Sequence, residues 1–346
     1  LDLRPIKKLG GNVYLHTNPS LNTILFPDSS VAISSLQLYS SGLSGTLDIS
    51  SLTGLSGSFV ARNNTKLNNI LNPSTNGTFT AYIAYSCGLM NTLDLTPLKG
   101  LGGSIQLYLN TSLNTILNPN SSQEFSTYYA YSCGLTGTLD ISGLTGMGGF
   151  LKINSNPKLN YILNPSTNTT FTGYVASNNG LMGTIDLRPL KNLGGTFEIN
   201  TNPSLNIILN SDSSKAYSTY YAYSCGLTGT LDISGLTGLS GTFQVNSNTY
   251  LNYILNPSTS GIFTHYYANT CGLMDTLDLR PLRGLGGQIR LFSNPSLNTI
   301  LNPDSSQAIS TYYAYDCSLN GTLDVSCLTK FGGDFRSYSN LNLQNI

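Results

Sequence analysis

The sequence is short of charge and contains no tryptophan. Only 9% of its 346 residues are Asp, Glu, Lys or Arg, and the 16 basic and 16 acidic side chains cancel, whereas a typical soluble domain carries about 25% charged residues. Without a basic excess, the chain has no general attraction to phosphate backbones or anionic lipids, so we expect no nucleic acid partner. No run of about 18 apolar residues is present, so we also expect no membrane insertion.

The sequence also lacks the clusters of side chains that catalytic and metal sites require. Its two histidines, His16 and His265, are far apart, and both are expected on the surface. A zinc site would need four converging ligands. No paired carboxylates, Ser/His/Asp set or phosphate-binding glycine loop can be assembled. We therefore expect no catalytic residue, no cofactor and no metal, and we predict that the protein is not an enzyme.

What the sequence has instead is an internal repeat. The motif Leu/Ile-Asp-Leu/Ile/Val begins eight times at a constant spacing of 46 residues, at Leu1, Leu47, Leu93, Leu139, Ile185, Leu231, Leu277 and Leu323. Alternate copies are the most alike, and the stretch that starts at Thr127 returns unchanged from Thr219, so the duplicated block is 92 residues long. Such a chain stacks coils instead of closing separate cores.

Each 46-residue unit divides into two halves of 23 residues. The first half reads TFEINTNPSL from Thr196, and the second reads TYYAYSCGL from Thr127, so both have apolar-x-apolar-x-x-Asn/Cys followed by leucine. This pattern resembles the leucine-rich repeat, L-x-L-x-x-N/C-x-L, whose period is about 20 to 29 residues. The resemblance covers the whole chain and implies fifteen coils in a single uncapped array over residues 1–346. Because the sequence begins and ends in the middle of a repeat, we expect it to be a fragment of a longer protein.

The resemblance implies a leucine-rich repeat solenoid that is mainly β, with one strand per coil in a parallel sheet on the concave side. Packing leads to the same fold, because a single coil cannot bury its apolar stripe whereas stacked coils share a core. Glycine pairs such as Gly102 and Gly103 are expected just before the strands, where a tight bend is needed. The NPS, NPD and SSQ clusters predict an extended or short 3-10 convex side with little α-helix.

The Asn/Cys position of the repeat predicts a structural ladder. Asparagine occupies it in every first-half coil and cysteine in five second-half coils, with Ser41 and Asn179 in two others. We expect these side chains to be buried and to hydrogen-bond the backbone of the turn that leaves each strand. The ladder consists of Asn18, Asn64, Asn110, Asn156, Asn202, Asn248, Asn294, Asn340, Cys87, Cys133, Cys225, Cys271 and Cys317.

The distance between coils argues against disulfides between ladder cysteines and against calcium binding by the repeated aspartates. Successive ladder cysteines stand at least two coils apart, about 9.6 Å, whereas a disulfide needs Cα atoms within roughly 7 Å. Cys327 lies elsewhere in its coil and is expected to be a buried small residue. The aspartates at the second position of each unit, such as Asp140, are equally far apart, which favours turn capping over calcium binding.

The outward side of the sheet is the candidate binding surface. Side chains between and beside the inward positions of each strand are expected to face outward. Tyrosine rows on a nearly uncharged sheet suit a protein or glycan surface, although tyrosine also favours strands whether or not anything binds. The candidate ligand contacts are Tyr39, Tyr85, Tyr108, Tyr129, Tyr131, Tyr221, Tyr223, Tyr267, Phe292, Tyr313 and Tyr315.

These observations favour a non-enzymatic protein that is extracellular or on a cell surface and acts in adhesion or recognition through its Tyr-rich concave sheet. The alternative is a structural spacer or a filament or fibre component. Near-identical blocks and the absence of polar end caps favour this alternative, because an uncapped coil exposes core until another coil or another copy continues the stack end to end.

Overall fold

The structure is a computed structural model that describes residues 1–28, 30–75, 77–213, 215–304 and 307–346. These residues divide into two compact units, Leu1–Phe171 and Thr172–Ile346. In both units, most coils contribute one strand to a parallel main sheet and a second strand to one of several two-stranded sheets.

In the first unit, the strands of the main sheet lie side by side in chain order. They are β1 (Leu9–Tyr14), β2 (Ser30–Gln37), β4 (Leu55–Val60), β6 (Phe79–Ile83), β8 (Leu101–Gln106), β10 (Phe125–Tyr129) and β12 (Met147–Lys152). The two-stranded sheets are β3 (Ser44–Asp48) with β5 (Lys66–Leu71), β7 (Met90–Asp94) with β9 (Ser112–Leu117), and β11 (Thr136–Asp140) with β13 (Lys158–Leu163). Strand β14 (Thr167–Val175) begins in the first unit and ends in the second.

The second unit repeats this arrangement. Its main-sheet strands are β16 (Leu190–Glu198), β18 (Tyr217–Tyr221), β20 (Leu239–Gln244), β22 (Phe263–Tyr267), β24 (Leu285–Arg290), β26 (Ile309–Tyr313) and β28 (Phe331–Arg336). Its two-stranded sheets are β15 (Met182–Asp186) with β17 (Ser204–Leu209), β19 (Thr228–Asp232) with β21 (Tyr250–Leu255), β23 (Met274–Asp278) with β25 (Ser296–Leu301), and β27 (Asn320–Thr322) with β29 (Asn342–Asn345).

The core is built from columns of equivalent residues in successive coils. Ile105 pairs with Tyr128 in the next coil, and Leu107 and Ala130 occupy the following inward position, so all four side chains are fully buried. One coil therefore places a large tyrosine and a small alanine in the core. The coil before it places two medium-sized aliphatic residues at the same positions. This compensation keeps the core close-packed although tyrosine and alanine replace the usual leucines.

The predicted mainly-β repeat solenoid is confirmed in each unit. Of the two expected forms of the convex side, extended or short 3-10, the described residues show the extended one, since they contain turns and paired strands but no helix of any kind. Strand β9 shows the reason: Leu113 and Ile116 point into the core and pair with Asn91 and Leu93 of β7. Because these segments recur at a fixed spacing, their extended backbones satisfy one another.

The glycine pairs lie inside the strands and not before them, contrary to expectation. Gly102 and Gly103 belong to β8, where the strand pairing is irregular. Gly103 has a φ of +65°, and a Cβ on it would lie 1.9 Å from the carbonyl oxygen of Thr80 in the preceding coil. Glycine is required there because of a close backbone approach and a left-handed conformation.

Candidate functional site

In each unit, two outward columns of side chains run across the strands of the main sheet. In β10 and the turn that follows, Tyr128 and Ala130 are buried, whereas Tyr129 and Tyr131 are half-buried and lie on the opposite face. We call the column that contains Tyr129 the first outward column and the one that contains Tyr131 the second. The first contains Tyr129, Tyr221, Tyr267 and Tyr313, and the second contains Tyr39, Tyr85, Tyr108, Tyr131, Tyr223, Phe292 and Tyr315, all of which are half-buried.

In the first unit, the rings of the second outward column stack face to face. The ring centroids of Tyr85 and Tyr108 are 4.3 Å apart with an interplanar angle of 11°. Those of Tyr108 and Tyr131 are 4.5 Å apart at 6°. The spacing follows from the geometry of the sheet, in which neighbouring strands lie about 4.8 Å apart and equivalent side chains adopt the same orientation.

This stack is extended by cations and a histidine. The guanidinium carbon of Arg62 lies 4.5 Å from the ring centroid of Tyr39 and 5.7 Å from that of Tyr85. On the far side of Tyr39, the ring of His16 stacks at 4.4 Å and 6°. The ammonium nitrogen of Lys152 lies 4.8 Å from the centroid of Tyr131. Both faces of Tyr39 and Tyr131 are therefore covered, because each ring has a partner on either side.

Stacking and burial also affect the phenol groups. The pKa of Tyr108 is raised above its usual value, mainly because burial disfavours the phenolate and also because the hydroxyl hydrogen-bonds with Tyr85. Burial raises the pKa of Tyr131 as well. These hydroxyls are therefore neutral at physiological pH, and the row offers hydrogen-bonding groups without adding charge.

In the second unit, arginines and tyrosines alternate along the first outward column. The guanidinium carbon of Arg290 lies 4.9 Å from the ring centroid of Tyr267 and 5.8 Å from that of Tyr313. Arg336 lies 4.7 Å from Tyr313 on the other side. Cation–π contacts of this kind hold the guanidinium planes against the rings.

A carboxylate and an amide from the neighbouring column fix this arrangement. The hydroxyl of Tyr313 donates to Oδ2 of Asp334 at 2.7 Å, and Arg336 donates to the same oxygen at 2.7 Å. These two donors hold the pKa of the Asp334 carboxyl below its usual range. Tyr267 and Arg290 both donate to Oε1 of Gln288, at 2.7 and 2.9 Å.

The second outward column of the second unit contains one short stack and one isolated ring. Phe292, Tyr315 and Tyr338 stack in sequence, with centroids 4.7 and 4.5 Å apart. The equivalent positions on either side of Tyr223 are Asn200 and Asn246. No described ring stacks on Tyr223, whose ring contact is a T-shaped one with Tyr221 in the same strand at 6.1 Å.

The ladder side chains form a continuous network on the inward side. Nδ2 of Asn110 donates to the carbonyls of Ala84 and Leu107 at 2.8 and 2.6 Å, and its Oδ1 accepts the backbone N–H of Cys87 at 3.1 Å. The Cys87 thiol donates to the carbonyl of Ala61 at 3.1 Å. Asn110 thus satisfies three backbone groups that would otherwise be buried without partners.

Serine and cysteine occupy equivalent places in this network. The hydroxyl of Ser41 donates to the carbonyl of Leu15, as the thiols donate in other coils. The five ladder cysteines are buried free thiols, and burial raises the pKa of Cys133 to about 11 and that of Cys225 to about 12. The other predicted members are buried except Asn18, which is exposed, and Asn340, which is half-buried, because no described coil covers them on one side.

No family model matches the chain, and no curated protein matches it by sequence. Three solved structures are similar in fold. The functional domain of InlJ from Listeria monocytogenes, which includes a cysteine ladder, is 19% identical with a TM-score of 0.34 over 86% of this chain and 61% of that one. The chain thus spans less than two thirds of that domain.

The other two structures are from plants. The peptide hormone receptor RGFR1, in complex with RGF2, is 14% identical with a TM-score of 0.27 over 98% of this chain and 79% of that one. The LRR ectodomain of the receptor kinase GASSHO1/SCHENGEN3 from Arabidopsis thaliana, in complex with CASPARIAN STRIP INTEGRITY FACTOR 2, is 12% identical with a TM-score of 0.20 over 98% and 64%.

These neighbours are leucine-rich repeat proteins. Within the chain, strands pair at a spacing of 23 residues and the asparagine ladder follows them, which is the geometry of a leucine-rich repeat. The fold is a leucine-rich repeat solenoid. At these identities and TM-scores, the binding partners of these proteins are properties of those proteins alone.

The aspartate at the second position of each 46-residue unit caps a turn. Oδ1 of Asp140 accepts hydrogen bonds from the backbone N–H and the hydroxyl of Ser142, at 2.9 and 2.6 Å. In other units an arginine takes the place of the serine, and Arg188 donates to both carboxylate oxygens of Asp186. This hydrogen bonding lowers the pKa of the Asp186 carboxyl.

Cys327 and His265 occupy less regular sites in the leucine-rich repeats. Cys327 is half-buried, not buried as expected, because it lies in an open cleft of about 530 Å³ with Arg280, Arg283 and Asp304. His265 is half-buried beside Thr242 and Thr264, and burial lowers its pKa. Over the described ranges, no three His, Cys, Asp or Glu side chains come together as a metal site.

In the part of the chain that the structure describes, there is no helix of the length and apolar character needed to cross a membrane.

Proposed function

We propose that this chain is a non-enzymatic recognition or adhesion protein that binds a protein partner through the two outward columns of its sheet. The observation that carries the proposal is the row of tyrosine, arginine and phenylalanine side chains held at fixed spacing on an otherwise nearly uncharged face. Tyrosine and arginine are the residues that most often dominate protein interfaces.

Stacking favours a protein over a glycan as the partner of these rows. A sugar binds an aromatic side chain by lying on its open face, but Tyr108 has a ring 4.3 Å away on one side and another 4.5 Å away on the other. What remains for a ligand are the ring edges and the phenol hydroxyls. These groups suit the mixed apolar and hydrogen-bonding contacts that tyrosine makes in protein interfaces.

The second unit adds fixed cationic groups to such a surface. Arg290 and Arg336 are each held by a ring and by an acceptor, Gln288 or Asp334. Because these side chains are already ordered, less conformational entropy is lost when a partner binds. Low overall charge limits long-range attraction, so affinity would depend on close fit instead of electrostatic steering.

We further propose that the protein acts outside the cell or on its surface. The 9% content of charged residues supports this location, since such a neutral, hydroxyl-rich composition resembles that of exported proteins more than that of cytosolic enzymes. The proposal concerns where the binding surface is displayed, and it is independent of the identity of the partner.

Binding to a target surface tests the proposal. A fluorescently labelled preparation of the chain is titrated onto cells or immobilised surface extracts, which are either untreated, treated with protease or deglycosylated. We expect binding to survive deglycosylation and to disappear after protease treatment. Tyr315→Ala removes the middle ring of its stack and should weaken binding about tenfold, which corresponds to about 1.4 kcal/mol.

The matched control is Tyr250→Ala. Tyr250 is 70% exposed and lies in β21, outside the main sheet, so its removal should leave binding unchanged. Equal losses for the two variants would contradict a role of the outward columns. Binding that survives protease but not deglycosylation would indicate a glycan ligand, and Tyr223→Ala should then be the damaging change because no described ring covers the faces of Tyr223.

A structural spacer or fibre component is the second candidate. It is favoured by the near-identity of the 92-residue blocks, since a spacer needs length and regularity instead of a varied surface. The stacked rows would then serve to stabilise the sheet. Electron micrographs of the purified chain test this function: fibres longer than a single chain would support end-to-end assembly of copies, and isolated particles at high concentration would contradict it.

A further inference from the structure

The stacked tyrosines have one geometric property that recognition does not require. In the pair Tyr85 and Tyr108, the pair Tyr108 and Tyr131, and the pair Tyr315 and Tyr338, both members are phenols, and their rings are nearly parallel, at 11°, 6° and 12°. The centroids are 4.3, 4.5 and 4.5 Å apart.

Registry brings equivalent atoms of these rings together. The two residues of each pair occupy the same position of successive coils, and parallel backbone hydrogen bonds continue at these positions, so both side chains leave the backbone in the same direction. With ring planes nearly parallel and centroids 4.3 to 4.5 Å apart, we expect each ring carbon next to the hydroxyl-bearing carbon to face its counterpart in the neighbouring ring.

Tyrosines that are neighbours along one strand do not meet in this way. Tyr221 and Tyr223 are 6.1 Å apart with an interplanar angle of 60°, and Tyr313 and Tyr315 are 6.0 Å apart at 53°. Their rings are tilted, and equivalent carbons do not face each other. The chain therefore contains stacked phenol pairs and a matched set of unstacked ones on the same surface.

We infer that the three stacked pairs are sites of oxidative cross-linking, at which a peroxide, acting through a haem peroxidase, couples two phenols into dityrosine. The inference goes beyond recognition and does not depend on it. The oxidised residues belong to adjacent coils, so each product joins two coils covalently on the outward side of the sheet.

Each link consumes one equivalent of hydrogen peroxide, and Tyr108, which belongs to two pairs, couples to Tyr85 through one ring carbon beside its hydroxyl and to Tyr131 through the other. Each phenol loses one electron and one proton to give a tyrosyl radical, and the peroxide accepts the two electrons and two protons to give two molecules of water. The two radicals form a carbon–carbon bond between ring positions adjacent to the hydroxyls. The hydrogens at those positions then move to the oxygens, which restores two phenols, so the product is lighter than the pair by two hydrogen atoms.

The described cysteines form no disulfide that would link neighbouring coils in place of dityrosine. The ladder cysteines are buried free thiols at least two coils apart, so they do not connect neighbouring coils covalently. In a solenoid, stability depends on contacts between adjacent repeats. A link between Tyr85 and Tyr108, or between Tyr108 and Tyr131, would oppose separation of the coils at their shared interface.

The experiment is oxidation of the intact chain at low concentration with a haem peroxidase and hydrogen peroxide. Dityrosine is detected by its fluorescence, and cross-linked peptides are located by mass spectrometry after proteolysis. We expect monomeric product with links at the three stacked pairs. Tyr108→Phe keeps the ring and the stack but removes one phenol of two pairs, so both links of the first unit should be lost while Tyr315 and Tyr338 still couple.

Tyr223→Phe is the matched control and should leave all three links unchanged. Should Tyr108→Phe fail to fold, as judged by circular dichroism, Tyr85→Phe and Tyr131→Phe each remove a single link and provide the same test. Equal coupling of Tyr221 with Tyr223 would overturn the inference. So would cross-links that form only between molecules, or oxidation of the exposed Tyr250 without any dityrosine in the monomer.

Discussion

The hydroxyl of Tyr128 donates a hydrogen bond to Oδ1 of Asn118, 3.1 Å away and ten residues earlier in the chain. Nδ2 of Asn118 in turn donates to the carbonyl of Asp140 at 2.9 Å. Burial raises the pKa of Tyr128, so the hydroxyl is a neutral donor. The same Tyr–Asn pairing recurs at Tyr82 and Asn72, Tyr220 and Asn210, Tyr266 and Asn256, and Tyr312 and Asn302.

This pairing predicts that Tyr128→Phe destabilises the chain. The substitution removes the hydrogen bond of a fully buried hydroxyl and leaves Oδ1 of the half-buried Asn118 without this partner, which should lower the free energy of unfolding by about 0.5 to 1.5 kcal/mol. Urea-induced unfolding followed by circular dichroism measures the change. Tyr131→Phe is the control, because its outward hydroxyl is not part of the pair, and it should change stability by less than about 0.5 kcal/mol. Equal effects of the two changes would contradict the structural role of the pair.

The ladder predicts a larger effect for Asn110→Ala. Asn110 is fully buried and satisfies two carbonyls and one N–H, so its loss should cost about 3 kcal/mol or more. Cys133→Ser keeps a small donor that can reach the carbonyl of Leu107, as Ser41 does for Leu15, and should cost less than about 1 kcal/mol. Thermal unfolding of the two variants compares them, and a serine variant as unstable as the alanine variant would contradict this ranking.

Much of the fold could be predicted because it depends on period alone. A constant 23-residue spacing places Tyr128 beside Ile105 and Leu151 and fixes which residues of each strand face inward. The sequence did not predict that the convex-side segments form a second strand in most coils. In segments such as Ser112–Leu117, the turn-forming residues that flank the strand left extended and 3-10 geometry as alternatives, and backbone pairing with the adjacent coil decides for the extended one.

The candidate site was only partly predictable. The alternation of strand residues placed Tyr129 and Tyr131 on the outward face, but the stacking of Tyr131 on Tyr108 depends on side-chain torsions in two coils at once. The Tyr–Asn pairs were missed, although an asparagine ten residues before Tyr82, Tyr128, Tyr220, Tyr266 and Tyr312 was a visible signal. Cys327 was misplaced because its exposure depends on the cleft around it and not on the repeat.

Thiol chemistry should separate Cys327 from the ladder. The five ladder thiols are buried and hydrogen-bonded, whereas Cys327 is half-buried beside a cleft. A small alkylating reagent at pH 8 should therefore modify Cys327 in the native chain and the remaining cysteines only after denaturation. Peptide mapping identifies the labelled residue, and Cys327→Ser should abolish native labelling. Modification of Cys133 at the same rate as Cys327 would contradict the buried ladder.

The same thiols predict loss of stability at high pH. An unfolded thiol has a pKa of about 8.5, whereas burial raises that of Cys133 to about 11 and that of Cys271 to about 12. Because the folded state favours the neutral thiol, this contribution is complete below pH 8.5 and is lost as the pH rises through about 11 to 12. Urea midpoints between pH 8 and 11 measure it. Cys133→Ser should lessen the fall, and an unchanged pH profile would contradict the assignment.

One position in the turn after the strand is occupied by an unsuitable residue. Leu109 has a φ of +59°, whereas the equivalent positions in neighbouring coils carry Ser132 at 51° and Ser155 at 61°. A leucine in the left-handed region costs about 1 kcal/mol or more, and asparagine tolerates it better. The side chain of Leu109 is 47% exposed, so little packing is lost on its removal.

Leu109→Asn should therefore raise the free energy of unfolding by about 1 kcal/mol, and Ser132→Leu should lower it by a similar amount, since the two changes exchange the same conformational penalty in opposite directions. Urea titration of both variants against the unmodified chain gives the comparison. If Leu109→Asn were destabilising, the leucine would be contributing more through contacts than its backbone conformation costs, and the turn would not be the source of strain that its φ indicates.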